Sequence, residues 1–150
     1  MKKLLLIPTI FLLLIGCSYK PVLLNNQYDF QLVNINFTGD NEINNIIQKD
    51  LIRKSNGTKK YSISFSTKKN RETLSSNEKG DPIVYKLNVD TFYTIIKDKK
   101  IKLERNISKQ ITYNNINDKF ELSQYEENII NNLAQNISAD ILMSITTVSE

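Results

Sequence analysis

The sequence predicts an α+β fold: a single four-stranded, mostly antiparallel sheet with two helices packed on one face, in the order β-α-β-β-β-α. Four segments alternate apolar and polar residues, as half-buried strands do. Two other segments repeat apolar residues at a spacing of three and four, as amphipathic helices do. Each predicted element has one apolar face, and one sheet covered on one side by both helices buries all of these faces together.

The first strand and the first helix follow one another directly. The strand alternates apolar residues with asparagines from Phe30 to Phe37. Asp40 is suited to cap a helix whose apolar residues keep helical spacing to about Arg53. Ser55-Asn56-Gly57 is expected to close this helix, because Asn and Gly favour the left-handed conformation that ends many helices.

The second and third strands are predicted on either side of a polar loop. Strand two alternates apolar residues with serines from Tyr61 and extends at most to Lys69. Residues 70–81 are polar and include a Gly-Asp-Pro turn signal, which predicts a loop. Strand three begins at Ile83 and continues through Phe92, Tyr93 and Ile95, where its alternation slips and a β-bulge is expected.

The last strand and the closing helix complete the pattern. Asp98-Lys99 predicts a tight turn into a strand from Ile101 to Tyr113, whose apolar residues share one face. After a break at residues 114–119, Ser123-Gln124-Tyr125-Glu126 resembles a capping box at the start of a helix. The apolar rows of this helix are Ile129, Ile130, Leu133, Ile137, Ile141, Leu142 and Ile145.

The amino terminus has the pattern of a secretory signal. A charged start precedes a short apolar run that ends in Leu14-Ile15-Gly16-Cys17. Because a helix needs about 20 apolar residues to span a bilayer, cleavage is expected rather than retention as an anchor. The last four residues resemble the bacterial lipobox, which implies cleavage before Cys17 and its acylation. An ordinary signal peptide with a chance cysteine is the alternative, but Cys17 is the only cysteine in the chain.

The predicted organisation is therefore a lipoprotein signal peptide (1–16), a lipidated linker (17–29) and a single α+β domain (30–150). Ser18 favours the outer membrane, since an Asp in that position retains lipoproteins in the inner membrane. The signal holds 2 of the 20 basic residues, so the mature chain has 18 against 16 acidic ones. This near balance, with the secretory signal, argues against nucleic acid as a partner. The chain has no His, which removes the commonest metal ligand and acid/base group.

The whole pattern resembles the family of the LPS-assembly lipoprotein LptE. The resemblance rests on the lipobox, the aromatic-Pro segment Tyr19-Lys20-Pro21, the element order and the closing helix with its segment 132–137. It implies a non-enzymatic lipoprotein without a cofactor beyond the lipid on Cys17. It also implies anchoring at the periplasmic face of the outer membrane of a Gram-negative bacterium. The implied partners are an LptD-like β-barrel, which the family plugs and helps to assemble, and lipopolysaccharide.

The resemblance points to the loop between strands two and three and to the start of the last helix as the lipopolysaccharide contact. Lys79 and Lys119 are the leading candidates and Arg71 the third, because cationic side chains suit phosphate. Solvated surface residues without a ligand are the alternative, since exposed Lys needs no special explanation. The opposite end of the sheet is equally basic, so charge alone does not choose between the ends. Its lysines are Lys59, Lys60, Lys97, Lys99, Lys100 and Lys102.

Other functions stay open on the residues alone. The chain could be an accessory lipoprotein of a different envelope barrel or transport complex. It could also be a membrane-tethered binding module that works without a partner. An envelope hydrolase is disfavoured, because no His and no nucleophile motif is present.

Overall fold

A computed structural model describes residues 28–149 and confirms the predicted fold. Four strands and two helices follow in the expected order. They are β1 (Phe30–Gly39), α1 (Asn41–Arg53), β2 (Lys59–Ser76), β3 (Pro82–Lys97), β4 (Lys100–Asn114) and α2 (Lys119–Ser149). The predicted signal peptide, Cys17 and the linker up to Gln27 lie outside the described residues.

The four strands lie side by side in chain order, β1-β2-β3-β4. β1 and β2 are parallel because α1 carries the chain back between them, whereas the other two pairs are antiparallel hairpins. The predicted tight turn between β3 and β4 is confirmed at Asp98 and Lys99, whose φ angles are 53° and 62°. Two successive positive φ angles are the mark of a type I′ turn, which matches the twist of the flanking strands.

The polar loop predicted at residues 70–81 is wrong for most of its length. β2 continues to Ser76, and only Asn77–Asp81 separates it from β3. Asn70 pairs with Asn88 across the ladder, and Glu72 forms an ion pair with Lys86. This end of β2 is largely exposed on both faces. Backbone pairing with β3 therefore maintains this part of β2, although its sequence lacks the apolar alternation from which a strand is predicted.

The irregularity predicted over Phe92, Tyr93 and Ile95 lies at the end of that segment. Thr91, Tyr93 and Ile95 continue the row of buried side chains. The register shifts between Ile95 and Ile96, where β3 pairs with β4. This shift puts Ile101 on the opposite face from the other apolar residues of β4, and its side chain is 61% exposed.

The last helix begins four residues before the predicted capping box. Oδ1 of Asp118 accepts hydrogen bonds from the backbone N–H groups of Phe120 (2.8 Å) and Glu121 (2.9 Å), so Asp118 is the cap. Glu121 follows the cap by three residues, so this segment also has the spacing of a capping box. Ser123 lies within the helix, because the earlier cap satisfies the first free N–H groups.

The core lies between one face of the sheet and both helices. All seven predicted apolar residues of α2 are buried in it. The buried apolar side chains form a single cluster whose members lie between Phe30 and Ile145, within the described residues. Asn44, fully buried, anchors α1 to the sheet: its Nδ2 donates to the carbonyl of Thr38 (3.0 Å), and its Oδ1 accepts from Oγ1 of Thr67 (2.7 Å).

The other face of the sheet carries mainly polar side chains and is not covered by a helix. Asn88 Nδ2 donates to Asp90 (2.8 Å), and Ser108 Oγ donates to Asn88 Oδ1 (3.0 Å), which ties β3 to β4 on this face. Phe92 and Ile101 are large apolar exceptions, and at least about half of each side chain is exposed. We call this surface the open face.

Candidate functional site

A large concave surface lies where the β2–β3 turn meets the connection from β4 to α2. We call it the tip cleft. Its volume is about 580 Å³, and amide side chains dominate its lining. The lining residues are Asn77, Asp81, Pro82, Ile83, Asn114, Asn115, Asn117 and Lys119.

Side-chain amides hold the two walls of the tip cleft in place. Oδ1 of Asn77 accepts from the backbone N–H groups of Lys79 (2.9 Å) and Asp81 (2.8 Å), which closes the turn. On the other wall, Asn115 donates its backbone N–H to the carbonyl of Ile83 (2.7 Å) and its Nδ2 to the carbonyl of Pro82 (2.8 Å). Oδ1 of Asn115 is buried and has no hydrogen-bond partner. The cleft therefore offers a fixed polar surface.

The structure brings the two leading lysine candidates to the same end of the molecule. Lys119 lines the tip cleft as the first residue of α2. Lys79 lies exposed in the turn whose residues Asn77 and Asp81 line the opposite wall, although Lys79 itself is not a lining residue. Both side chains are solvent-accessible, so an anion in or beside the cleft can approach them.

Arg71, the third candidate, is already engaged inside the fold. Its guanidinium lies 3.0 Å from the carboxylate of Glu126 and 3.9 Å from the ring centre of Tyr85. The same carboxylate accepts a hydrogen bond of 2.6 Å from the hydroxyl of Tyr113. Arg71 does not line the tip cleft. It closes the end of the core by linking β2 to α2.

These contacts raise the pKa values of Tyr113 and Arg71. Burial raises the pKa of Tyr113, and its hydrogen bond to the negatively charged Glu126 raises it further. Burial alone would lower the pKa of Arg71, but the interactions with Tyr85 and Glu126 outweigh it and the pKa is raised. Arg71 therefore keeps its charge, and that charge is balanced by Glu126.

Sequence reasoning did not identify the apolar side chains beside the tip cleft. Phe120 follows Lys119 directly and is 73% exposed, and Ile83 is 45% exposed. The predicted helix start at Ser123 left Phe120 in a loop. The pattern of Asp118 followed by Glu121 was the signal that would have put Lys119 and Phe120 together in the first turn of α2.

The opposite end of the sheet also carries the cluster of lysines expected from the sequence. We call it the lysine pole: Lys59, Lys60, Lys97, Lys99, Lys100 and Lys102. The ladder brings them together, because Phe30 pairs with Lys59 and Lys97 pairs with Lys100. Lys97 Nζ lies 5.2 Å from the ring centre of Tyr61, which keeps it close to the core.

Between Tyr28 and Ser149 no group of Cys, Asp or Glu side chains has the arrangement of a metal site. None of the helices in this part of the chain combines the length and apolar character needed to cross a membrane.

The fold is shared with solved bacterial lipoproteins. The rare lipoprotein B of Shewanella oneidensis matches with a TM-score of 0.60 at 13% identity, over 77% of this chain and 96% of that chain. An uncharacterized lipoprotein B of Nitrosomonas europaea matches with a TM-score of 0.61 at 13% identity, over 89% and 93%. A minor lipoprotein of Acinetobacter baumannii matches with a TM-score of 0.52 at 14% identity, over 77% and 94%. Because the sequence identities are this low, the matches establish the shared fold alone.

No protein-family model matches the chain, and its sequence matches no curated protein.

Proposed function

We propose that this chain is an outer-membrane lipoprotein of the LptE type. In this proposal Cys17 carries the lipid, and the domain lies within the lumen of an LptD-like β-barrel that it plugs and helps to assemble. It contacts lipopolysaccharide on its way to the outer leaflet. The observation that carries the proposal is the junction of a lipobox with a domain whose fold occurs in solved lipoproteins over nearly their whole length.

The open face supports a position inside a wet barrel. Large outer-membrane barrels have polar lumens, so a plug needs a polar surface that tolerates water and hydrogen-bonding neighbours. Ser62, Ser64 and Ser66 follow one another along β2 on this face, with Asn88 and Asp90 on β3. A sheet with this surface can lie against a polar wall without the cost of burying charge in an apolar environment.

The tip cleft supports contact with an amphiphile that carries phosphate. Lys79 and Lys119 can approach phosphate groups, and Phe120 beside them offers an apolar surface to acyl chains. The amides of Asn77 and Asn115 are used to hold the cleft walls, so the cations are the groups left for the ligand. Arg71 is assigned a supporting part, because its charge is balanced by Glu126.

The first test is recovery of the tagged protein from gently solubilised membranes, with the tag placed beyond Glu150. We expect one large barrel protein in near-equal amount, and metabolic labelling of the chain with palmitate. Cys17→Ala is the matched variant, since it keeps the domain unchanged and removes the acylated sulfur. It should lose the label completely and remain as uncleaved precursor.

The outcomes separate the proposed function from its alternatives. Recovery of the acylated protein alone, from an extract shown to contain the barrel, would contradict the plug and favour a tethered binding module. Recovery with a different transport complex would favour an accessory lipoprotein of that complex. Equal palmitate labelling of the Cys17→Ala variant would overturn the lipid assignment itself.

The second test concerns the ligand. Replacing Lys79 and Lys119 together with Glu should weaken lipopolysaccharide binding by at least about tenfold, because hydrogen bonds to charged groups contribute about 1.5–3 kcal/mol each. The thermal midpoint should stay nearly unchanged, since neither side chain is buried. Lys100→Glu with Lys102→Glu is the control with the same change in charge at the other end of the sheet. Equal binding by the two double variants would sink the assignment to the tip cleft.

A further inference from the structure

The lysine pole is positively charged in excess. Six lysines lie at this end of the sheet, whereas the acidic residues beside the strand ends and in the turn are Asp29 and Asp98. Lys59 lies 3.9 Å from Asp29, so one of these carboxylates already faces a lysine. The balance of charge at this end is strongly positive, although the chain without residues 1–16 is nearly neutral.

Most of these lysines have no carboxylate partner among the described residues. The side chains of Lys60, Lys99, Lys100 and Lys102 are exposed, and none of them forms an ion pair with a carboxylate of residues 28–149. Three lysines elsewhere on the sheet behave differently. Lys69 pairs with Glu42 at 2.9 Å, Lys86 pairs with Glu72, and Lys109 pairs with Asp140 at 2.6 Å.

An apolar side chain stands within this positive surface. Ile101 lies between Lys100 and Lys102 in the sequence and is 61% exposed, because the irregularity in the β3–β4 ladder puts it on the open face. Positive charge combined with an exposed aliphatic residue is the chemistry of surfaces that rest on membranes. The ammonium groups face phosphates while the apolar side chain enters the headgroup region.

The described chain also begins at this pole. β1 starts at Phe30, directly beside Lys59 of β2. Only the eleven residues from Cys17 to Gln27 separate a lipid on Cys17 from Tyr28. A stretch of this length reaches about 40 Å at most, so an acylated Cys17 would keep the lysine pole near the bilayer.

We propose that the lysine pole lies against the anionic phospholipid surface of the membrane to which the chain is tethered. The orientation rests on the proposed lipid at Cys17, whereas the electrostatic contact does not require it. α2 has 31 residues and runs from the tip cleft toward the lysine pole. At 1.5 Å per residue it is about 46 Å long, so the tip cleft lies at the end of the domain remote from this contact.

The test uses residues 18–150, which contain the whole described core and lack the acylation site, in co-sedimentation with vesicles. Vesicles of phosphatidylethanolamine and phosphatidylglycerol should bind the protein, and vesicles of phosphatidylcholine should not. Binding should fall steeply with added salt, because ions screen exposed charges. Replacing Lys60, Lys100 and Lys102 with Gln should reduce partitioning on the order of 100-fold, at about fivefold for each lysine near an anionic surface.

The matched control replaces three basic residues outside both the lysine pole and the tip cleft, Lys68, Arg105 and Lys109, with Gln. It removes the same charge, so it should keep vesicle binding within about threefold of the unchanged protein if the site is local. Circular dichroism of both variants verifies that each is folded. Equal loss in the two triple variants, or equal binding to phosphatidylcholine vesicles, would overturn the proposal.

This result does not depend on the proposed barrel or on acylation, because the tested protein has neither. The prediction that Cys17→Ala loses its palmitate label and the prediction that residues 18–150 bind vesicles can therefore fail separately. Failure of the first would leave the membrane contact standing without its tether. Failure of the second would leave a lipoprotein held by its lipid alone.

Discussion

Replacing Gly39 with alanine is expected to lower the free energy of unfolding by about 3 kcal/mol or more. Gly39 has a φ of 97°, where an L-residue is strained, and a Cβ atom there would lie 1.9 Å from the carbonyl oxygen of Thr67. The obstacle is backbone of β2, so relief requires the two strands to separate. The junction also matters for α1, because Asp40 donates its N–H to the same Thr67 carbonyl (3.2 Å) and caps the helix through Ile43 (3.1 Å).

Gly80→Ala is the control that separates the effect of the close contact with Thr67 from the effect of the positive φ angle. Gly80 has a similar φ of 86°, but a Cβ atom there would meet nothing within 4 Å. Only the conformational cost should remain, about 1–2 kcal/mol. Urea unfolding of both variants measures the difference through the transition midpoint. Equal destabilisation by the two substitutions would show that the close approach of β1 to β2 is not what Gly39 permits.

Ile137→Ala is expected to lower the free energy of unfolding by about 2–5 kcal/mol, the range for large cavities in cores. Ile137 is fully buried near the middle of α2, within the cluster that both helices form with the sheet. Truncation removes apolar contacts and leaves a cavity that the rigid sheet cannot fill. The urea midpoint should fall while the slope of the transition stays constant.

Met143→Ala, six residues further along the same helix, is the matched substitution on its exposed side. Met143 is 64% exposed, so its truncation should change stability by about 0.5 kcal/mol or less. A comparable loss in both variants would mean that the apolar rows of α2 do not define the buried side of the helix.

The two ends of the domain carry different chemistry. The tip cleft combines amides, Lys119 and the exposed Phe120, while the lysine pole combines a cluster of ammonium groups with Ile101. The long strands and α2 span the distance between these ends. In the proposed arrangement, the lysine pole contacts phospholipid headgroups at the periplasmic surface, and the tip cleft presents the ligand surface at the remote end of the domain, within the barrel lumen.

The contact between the two helices illustrates what local pattern does not predict. Asp50 is 8% exposed, and its Oδ2 accepts a hydrogen bond of 2.6 Å from Ser138, which lies 88 residues away in the chain. Burial alone would raise the pKa of Asp50. The hydrogen bond from Ser138 and the positive charges of Lys54 and Arg53 outweigh it, so the pKa is lowered and the carboxylate stays charged. Nothing in the periodicity of α1 distinguishes Asp50 from a solvated residue.

The candidate site was predicted only in part. The sequence, with the family resemblance, placed Lys79 and Lys119 at one end of the sheet, and the hairpin order of the strands carries them there. The balance of Arg71 by Glu126 depends on a contact between residues 55 positions apart. One wall of the tip cleft depends on Asn77, which closes its own turn. The other depends on Asn115, whose hydrogen bonds to Pro82 and Ile83 form only when the start of β3 and the end of β4 are adjacent.

Sequence patterns predicted the number and order of the elements, the apolar side of α2 and the basic character of both ends of the sheet. These follow from short-range periodicity, capping residues and charge, which act over a few neighbouring positions. The length of β2 and the position of the register shift after Ile95 depend instead on tertiary contacts. β2 is extended by pairing with β3 rather than by burial, so its polar half carries no alternation. Pairing partners that are distant in the chain decide such features, and no local window contains both of them.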